Sequence, residues 1–143
     1  METRRILYAE DSANDVELTL TALQEHQIAD RLQVVNDGAD ALDYLYKRGR
    51  FEGSTDGQPS LILLDLKMPK VDGLEVLRKV KGDPALRTTP VILLTSSAEN
   101  GDIRAAYELG ANAYVVKPVD FDHFVSVVKE IGLFWILTNT PAP

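Results

Sequence analysis

The sequence predicts an α/β domain of the doubly wound kind, with a five-stranded parallel sheet and helices on both of its faces. Two patterns carry that expectation. Short apolar runs at 6–9, 32–35, 61–64, 90–94 and 113–116 recur along the chain, and each is followed by a segment whose apolar residues fall at helical spacing. Two of these runs, Leu61-Ile62-Leu63-Leu64 and Pro90-Val91-Ile92-Leu93-Leu94, are apolar throughout, as expected of strands covered on both sides. The 143 residues, 45% of them hydrophobic, suit one compact core and leave no room for a second sizeable domain.

Taken in order, Ile6-Leu7-Tyr8-Ala9 reads as a buried strand that stops at Glu10-Asp11. Ser12 is placed to cap a helix whose apolar residues are Val16, Leu20 and Leu23, with Leu18 nearby. Leu32-Gln33-Val34-Val35 is a second, less continuous strand, and Asp37-Gly38 opens a helix with Ala41, Leu42, Leu45 and Tyr46 on its apolar face and Gly49 at its end. Residues 50–59, rich in Gly, Ser, Thr and Asp, read as a surface loop before the third strand. Leu74, Val76, Leu77 and Val80 mark a third helix that ends near Gly82-Asp83-Pro84. After the fourth strand, Ile103, Ala106, Tyr107 and Leu109 form a modest apolar face that Gly110 terminates. Ala113-Tyr114-Val115-Val116 precedes Lys117-Pro118, and a last helix is expected from about Phe121 to Leu133 or beyond.

Composition removes several classes of function. Without cysteine there are no disulfides, thiolate nucleophiles or cysteine-based metal sites, and the two histidines, His26 and His123, leave little scope for histidine-rich metal binding. A net charge of −7 and a pI near 4.8 argue against nucleic acid as a partner. The basic cluster Lys47, Arg48 and Arg50 reads as the solvated end of a helix. The N-terminal residues lack the apolar stretch of a signal peptide and no run approaches a membrane span, so the expected compartment is the cytoplasm.

The chemistry-bearing residues stand where the strands end. In a sheet of this kind the groups beyond the carboxyl ends of the strands share one edge. Those groups are Glu10 and Asp11 after the first strand, Asp65 after the third, Thr95 with Ser96 after the fourth, and Lys117 after the fifth. Clustered carboxylates repel one another unless a cation joins them, and oxygen-only ligands favour Mg²⁺ over zinc. Asp65 follows the strand expected at the centre of the sheet, and a carboxylate oxygen there can attack phosphorus. Lys117 and Thr95 can then contact the phosphoryl oxygens.

These residues, read together, resemble the receiver domain of two-component response regulators. The likeness rests on Glu10-Asp11, on Asp65 within Leu63-Leu64-Asp65-Leu66-Lys67-Met68-Pro69-Lys70-Val71-Asp72-Gly73, on Thr95 and on Lys117-Pro118, and spans roughly residues 4–132. The resemblance implies a flavodoxin-like strand order 2-1-3-4-5. It implies Asp65 as the phosphoacceptor; Glu10, Asp11, Asp65 and the backbone carbonyl of Lys67 around Mg²⁺; and Thr95 and Lys117 as phosphate contacts. It also implies Tyr114 as the aromatic that moves with Thr95, and a cis peptide before Pro118. The side chain of Lys67 is expected to face solvent beside the reactive centre.

Only a short tail follows the last helix, so a binding switch without an attached output domain is expected, one that signals through other proteins, and the resemblance implies a histidine kinase as its phosphoryl donor. Asp37-Gly38 through Asp43-Tyr44-Leu45, the 50–59 loop, Asp83-Pro84-Ala85-Leu86-Arg87 and Phe134-Trp135 are similar to the small regulators that serve phytochrome-type kinases. The run Leu133-Phe134-Trp135-Ile136-Leu137 is more apolar than one small domain can hide, so Phe134, Trp135, Ile136 and Leu137 are expected in a homodimer contact. In this reading the chain catalyses its own phosphotransfer and dephosphorylation and is not a conventional metabolic enzyme. Two alternatives stay open at this point, a receiver-like interaction module that works without phosphorylation and an aspartate-based phosphatase. The second lacks a further acid two residues after Asp65.

Overall fold

The computed structural model describes residues 5–24 and 28–133. His26 and the proposed dimer residues Phe134, Trp135, Ile136 and Leu137 lie outside the described residues.

Strands β1 (Ile6–Ala9), β2 (Leu32–Val35), β3 (Leu61–Leu64), β4 (Val91–Thr95) and β5 (Ala113–Val116) pair in parallel in the order β2-β1-β3-β4-β5. This is the flavodoxin-like α/β fold. The order reverses between β2-β1 and β3-β4-β5, which opens a crevice above the carboxyl ends of β1 and β3.

Helices α1 (Ala13–Ala22), α2 (Gly38–Tyr46), α3 (Gly73–Gly82), α4 (Asn100–Glu108) and α5 (Phe121–Glu130) follow the strands in turn. Because side chains alternate across a strand, the sheet feeds two cores. Leu7, Ile62, Leu64 and Leu93 pack with residues of α2, α3 and α4 such as Leu42, Val76 and Ala106. Ile6, Tyr8, Leu63 and Leu94 pack on the other side with Leu23 after α1 and with Phe124 and Val128 of α5. Each such fully buried aliphatic or aromatic side chain is worth about 1.5–3 kcal/mol over its exposed state.

Helix starts follow from caps. The side chains of Ser12, Asp37, Asp72 and Asp120 accept from the backbone N–H of Asp15, Asp40, Glu75 and His123. The last helix stops at Glu130, short of the expected Leu133, because Ile131 and Gly132 leave helical geometry; Gly132 has φ 81°. Leu133 still reaches the core.

Two tyrosines sit differently from expectation. On α2 the buried ring is Tyr44, 1% exposed, not Tyr46, which is 40% exposed. Tyr44 wins the inner position because Phe51 meets its ring edge-on at 5.0 Å and Asp56 of the long loop accepts its hydroxyl at 3.2 Å. Tyr46 instead donates to Asp83 at 2.8 Å across the protein surface. On α4, Tyr107 is 49% exposed, so Ala106 alone among that helix's residues is fully inside. The arginines of the basic cluster are solvent-exposed as expected and also form surface ion pairs, Arg48 with Asp43 at 2.9 Å and Arg50 with Asp40 at 2.6 Å.

Candidate functional site

The sheet register assembles the site. Ala9 stands opposite Leu64, so the next residues, Glu10 and Asp65, emerge side by side, and the Asp65 N–H donates to the Ala9 carbonyl at 3.0 Å. Thr95 stands opposite Val116, and the Lys117 N–H donates to the Thr95 carbonyl at 2.8 Å. Gly73 presses the loop after β3 against this edge: a Cβ there would meet the Asp65 carbonyl oxygen at 2.0 Å, and its N–H donates to Leu66 at 2.8 Å. Only glycine permits that approach.

Glu10, Asp11 and Asp65 each offer a carboxylate oxygen, all within 4.8 Å of one another. Glu10 is buried, Asp65 is 8% exposed and Asp11 is open to solvent. Lys117 lies among them, its side chain 9% exposed, donating to Glu10 Oε1 at 2.5 Å and to Asp15 Oδ2 at 2.8 Å while standing 3.6 Å from Asp65 Oδ2. One Asp65 oxygen, Oδ1, accepts from the Leu66 N–H at 2.8 Å.

Burial of Glu10 pushes its carboxyl up to about 7, and the neighbouring Asp65 adds to the rise; the Lys117 hydrogen bond opposes it and is outweighed. The Lys117 ammonium behaves in the opposite sense to a simple buried lysine. Burial disfavours its charge, but the hydrogen bonds to Asp15 and Glu10 and the charge of Asp65 prevail and hold it above its ordinary value. A set of hard oxygen donors with excess negative charge suits a small divalent cation.

Thr95 is buried, and its hydroxyl oxygen accepts from the Ser97 N–H at 3.4 Å. Tyr114 is half-buried and its hydroxyl donates to the Ser97 carbonyl at 2.9 Å, while the Ser97 hydroxyl donates to Asp102 at 2.5 Å. The loop after β4 is thus tied to β5 and to the first turn of α4. Lys67 is exposed at the mouth of the cleft, which has a volume of about 380 Å³ and is bounded by Asp11, Asp15, Ser96 and Glu99 as well. The Lys117-Pro118 peptide bond is cis.

Two participants escaped the sequence reading. Asp15 touches Lys117, and Tyr8, read as a core or boundary residue, sends its hydroxyl to Thr19 at 3.1 Å and lies 3.5 Å from Glu10 Oε1. The one signal for Asp15 was its place one helical turn after Asp11, which an acid in a first turn has anyway for the helix dipole.

Comparison with known proteins agrees with this geometry. Residues 6–129 match the family described as the response regulator receiver domain. The response regulator Rcp1 of Synechocystis sp. is 39% identical over 135 residues, covering 94% of this chain and 90% of its own length. The probable methanogenesis regulatory protein FilR2 of Methanothrix harundinacea is 38% identical over 139 residues, covering 96% of this chain and 88% of its own. Among solved structures, the bacteriophytochrome response regulator AtBRR superposes with a TM-score of 0.87 at 51% identity, over 98% of this chain and all of that one.

Proposed function

This chain belongs to the response regulator receiver domain family, closely related to the phytochrome-associated regulators Rcp1 and BRR, and on that premise we propose that it takes a phosphoryl group from a phosphohistidine of a histidine kinase onto Asp65. The observation that carries this reading is the meeting of Asp65, Glu10, Asp11 and Lys117 at one edge of the sheet. An Asp65 oxygen forms the new O–P bond, the N–P bond of the donor breaks, and the released imidazole takes a proton from solvent. In the reverse of activation, water attacks phosphorus and returns the carboxylate and inorganic phosphate.

Glu10, Asp11, Asp65 and the Lys67 carbonyl would hold Mg²⁺, which supplies charge neutralisation to the phosphoryl oxygens. The chain's own groups do the rest. Lys117 offers an ammonium to one phosphoryl oxygen, and the Thr95 hydroxyl offers a hydrogen bond to another. Phosphorylation adds about −1.5 to −2 of charge. Drawing Thr95 inward would loosen its contact with Ser97, whose carbonyl holds Tyr114, so the same step moves the surface around β5.

We assign the donor to the phytochrome class of kinases because AtBRR is named a bacteriophytochrome response regulator and covers the same length. The metal assignment draws on the donor set and on Rcp1, solved in an Mn²⁺-bound form. Among the described residues no helix is long and apolar enough to cross a membrane; we place the exchange in the cytoplasm. The apolar residues 134–137 are our candidate for a homodimer contact, and the downstream signal passes to another protein.

The test is intact-mass measurement after incubation with a small acyl phosphate and Mg²⁺, and with phosphorylated kinases of phytochrome and other types. A gain of one phosphoryl group, lost in Asp65→Asn and fastest from a phytochrome-type kinase, is expected. Wild-type protein that gains no mass from any donor would overturn the reading.

A further inference from the structure

The start of α1 is wired into the acidic site by a closed ring of contacts. Glu10 Oε2 accepts from the Ser12 N–H at 3.2 Å, and the Ser12 hydroxyl oxygen accepts from the Asp15 N–H at 3.2 Å. Asp15 Oδ2 accepts from Lys117 Nζ at 2.8 Å, and Lys117 closes the ring on Glu10 Oε1 at 2.5 Å. One turn further along the same helical face, Thr19 accepts from the buried Tyr8 hydroxyl at 3.1 Å. The helix cap therefore fixes the backbone of Asp15, and its side chain has one partner of opposite charge. A half-exposed acid would ordinarily contribute little, but here it meets an ammonium whose side chain is only 9% exposed.

The geometry around that ammonium gives the contact a purpose. Lys117 has three N–H donors. Glu10 and Asp15 take two, while Asp65 Oδ2 lies at 3.6 Å, outside hydrogen-bond range. We propose that Asp15 is a positioning residue that holds the Lys117 ammonium just off the Asp65 carboxylate. This rests on Asp65 being the phosphoacceptor. With Asp15 in place, the Asp65 oxygen keeps its lone pairs for attack on phosphorus. Once the O–P bond has formed, a phosphoryl oxygen brings an acceptor to the waiting third donor. Without the Asp15 carboxylate, the freed donor turns to the next carboxylate oxygen within reach, Asp65 Oδ2. The ion pair at 3.6 Å then closes to a direct hydrogen bond, which blunts the nucleophile before any phosphodonor arrives.

The experiment compares wild type, Asp15→Ala and Asp15→Glu for the rate of phosphoryl gain from acetyl phosphate with saturating Mg²⁺, followed by intact mass. Thermal melts check the fold, and nitrogen-15 spectra of the lysine ammonium groups read the Lys117 environment without phosphate. Asp15→Ala is expected to react more slowly by on the order of tenfold, the size of one charge-assisted hydrogen bond. Its Lys117 ammonium signal should shift, and Asp15→Glu, which keeps the charge and an acceptor, should recover most of the rate. A wild-type rate in Asp15→Ala, or a slow Asp15→Glu with a wild-type melt, overturns the positioning role. Failure of the wild type itself to gain mass is a different result: it removes the phosphoacceptor reading, while an unshifted ammonium signal in Asp15→Ala independently removes the contact proposed here.

Discussion

The two ends of the sheet each hold a partly buried lysine, and the lysines are treated in opposite ways. At the carboxyl edge, Lys117 is surrounded by the carboxylates of Glu10, Asp15 and Asp65. At the other edge, Lys81 at the end of α3 donates to neutral oxygens only: the carbonyls of Arg87 at 3.2 Å and Thr89 at 2.8 Å and the side chain of Asn112 at 3.2 Å. Burial holds the Lys81 ammonium below its ordinary value, whereas the carboxylates hold Lys117 above it. Neutral oxygens that are already satisfied make a staple. Asn112 Oδ1 also accepts from the Val91 N–H at 2.9 Å, so Lys81 locks the entrances to β4 and β5 together. Crowded carboxylates with one ammonium among them make a site that still lacks positive charge, and that deficit is what a divalent cation can fill before an anionic phosphoryl group approaches.

The sharpest way to break the comparison is Lys117→Met. Phosphorylation by a small acyl phosphate should slow by about 100-fold, the scale of removing one preorganised charge from a transition state. The folded state should also lose about 3 kcal/mol at pH 8 in urea titrations, since Glu10 is left buried without its partner. That loss should shrink in acid as Glu10 takes up a proton.

Glu10 itself gives the next largest effect. Its folded value near 7 lies above the ordinary 4.5, so between those values the folded protein binds the extra proton and the unfolded chain does not. Metal-free wild type should therefore lose roughly 2–3 kcal/mol of stability as pH rises through that window. Glu10→Gln should show a flat profile over the same range. A wild-type profile as flat as the variant's would mean that Glu10 is ionised throughout, and the site less starved of positive charge than its geometry indicates.

The strand ends were legible because each apolar run stops abruptly at a residue with chemistry, and register then forces Glu10 beside Asp65 and Lys117 beside Thr95. The two-sided cores follow from the same runs, whereas the strand order was implied by the resemblance to the receiver family. What periodicity missed were polar atoms whose partners are distant in sequence. Tyr44 and Tyr46 are nearly equivalent by spacing, and only the loop carrying Phe51 and Asp56 decides which ring goes inside. Asp15 looks like any first-turn acid until Lys117, 102 residues away, arrives beside it. Local propensity has no access to such a pairing, because the fold that makes it is the thing being inferred.

At the staple end the expected effects are smaller and confined to stability. Lys81→Met should cost about 1–2 kcal/mol in urea titrations, the net worth of hydrogen bonds to neutral acceptors. Its phosphorylation rate should stay within about twofold of wild type, a margin worth under half a kcal/mol. A slower rate at wild-type stability would mean that the two edges communicate through α3, and the separation drawn between them would fail.

The smallest effect belongs to the exposed ion pair between Asp40 and Arg50, where the arginine side chain is 56% exposed. The Arg50 hydrogen bond holds the Asp40 carboxyl below its usual 3.8, so its contribution is complete above that value and fades as pH falls through the lowered one. Solvent screening limits it to about 0.5 kcal/mol. Asp40→Asn should differ from wild type by that amount at neutral pH and low salt, and by less in 1 M NaCl, where the screening length is about 3 Å. The difference should vanish in acid. If it persisted in acid and at high salt, the amide would be disturbing packing at the start of α2, and the charge pair would not be the cause. The three sites then form a graded series in which a cation counts for progressively less as its setting changes from buried carboxylates to neutral oxygens to an ion pair whose arginine is open to solvent.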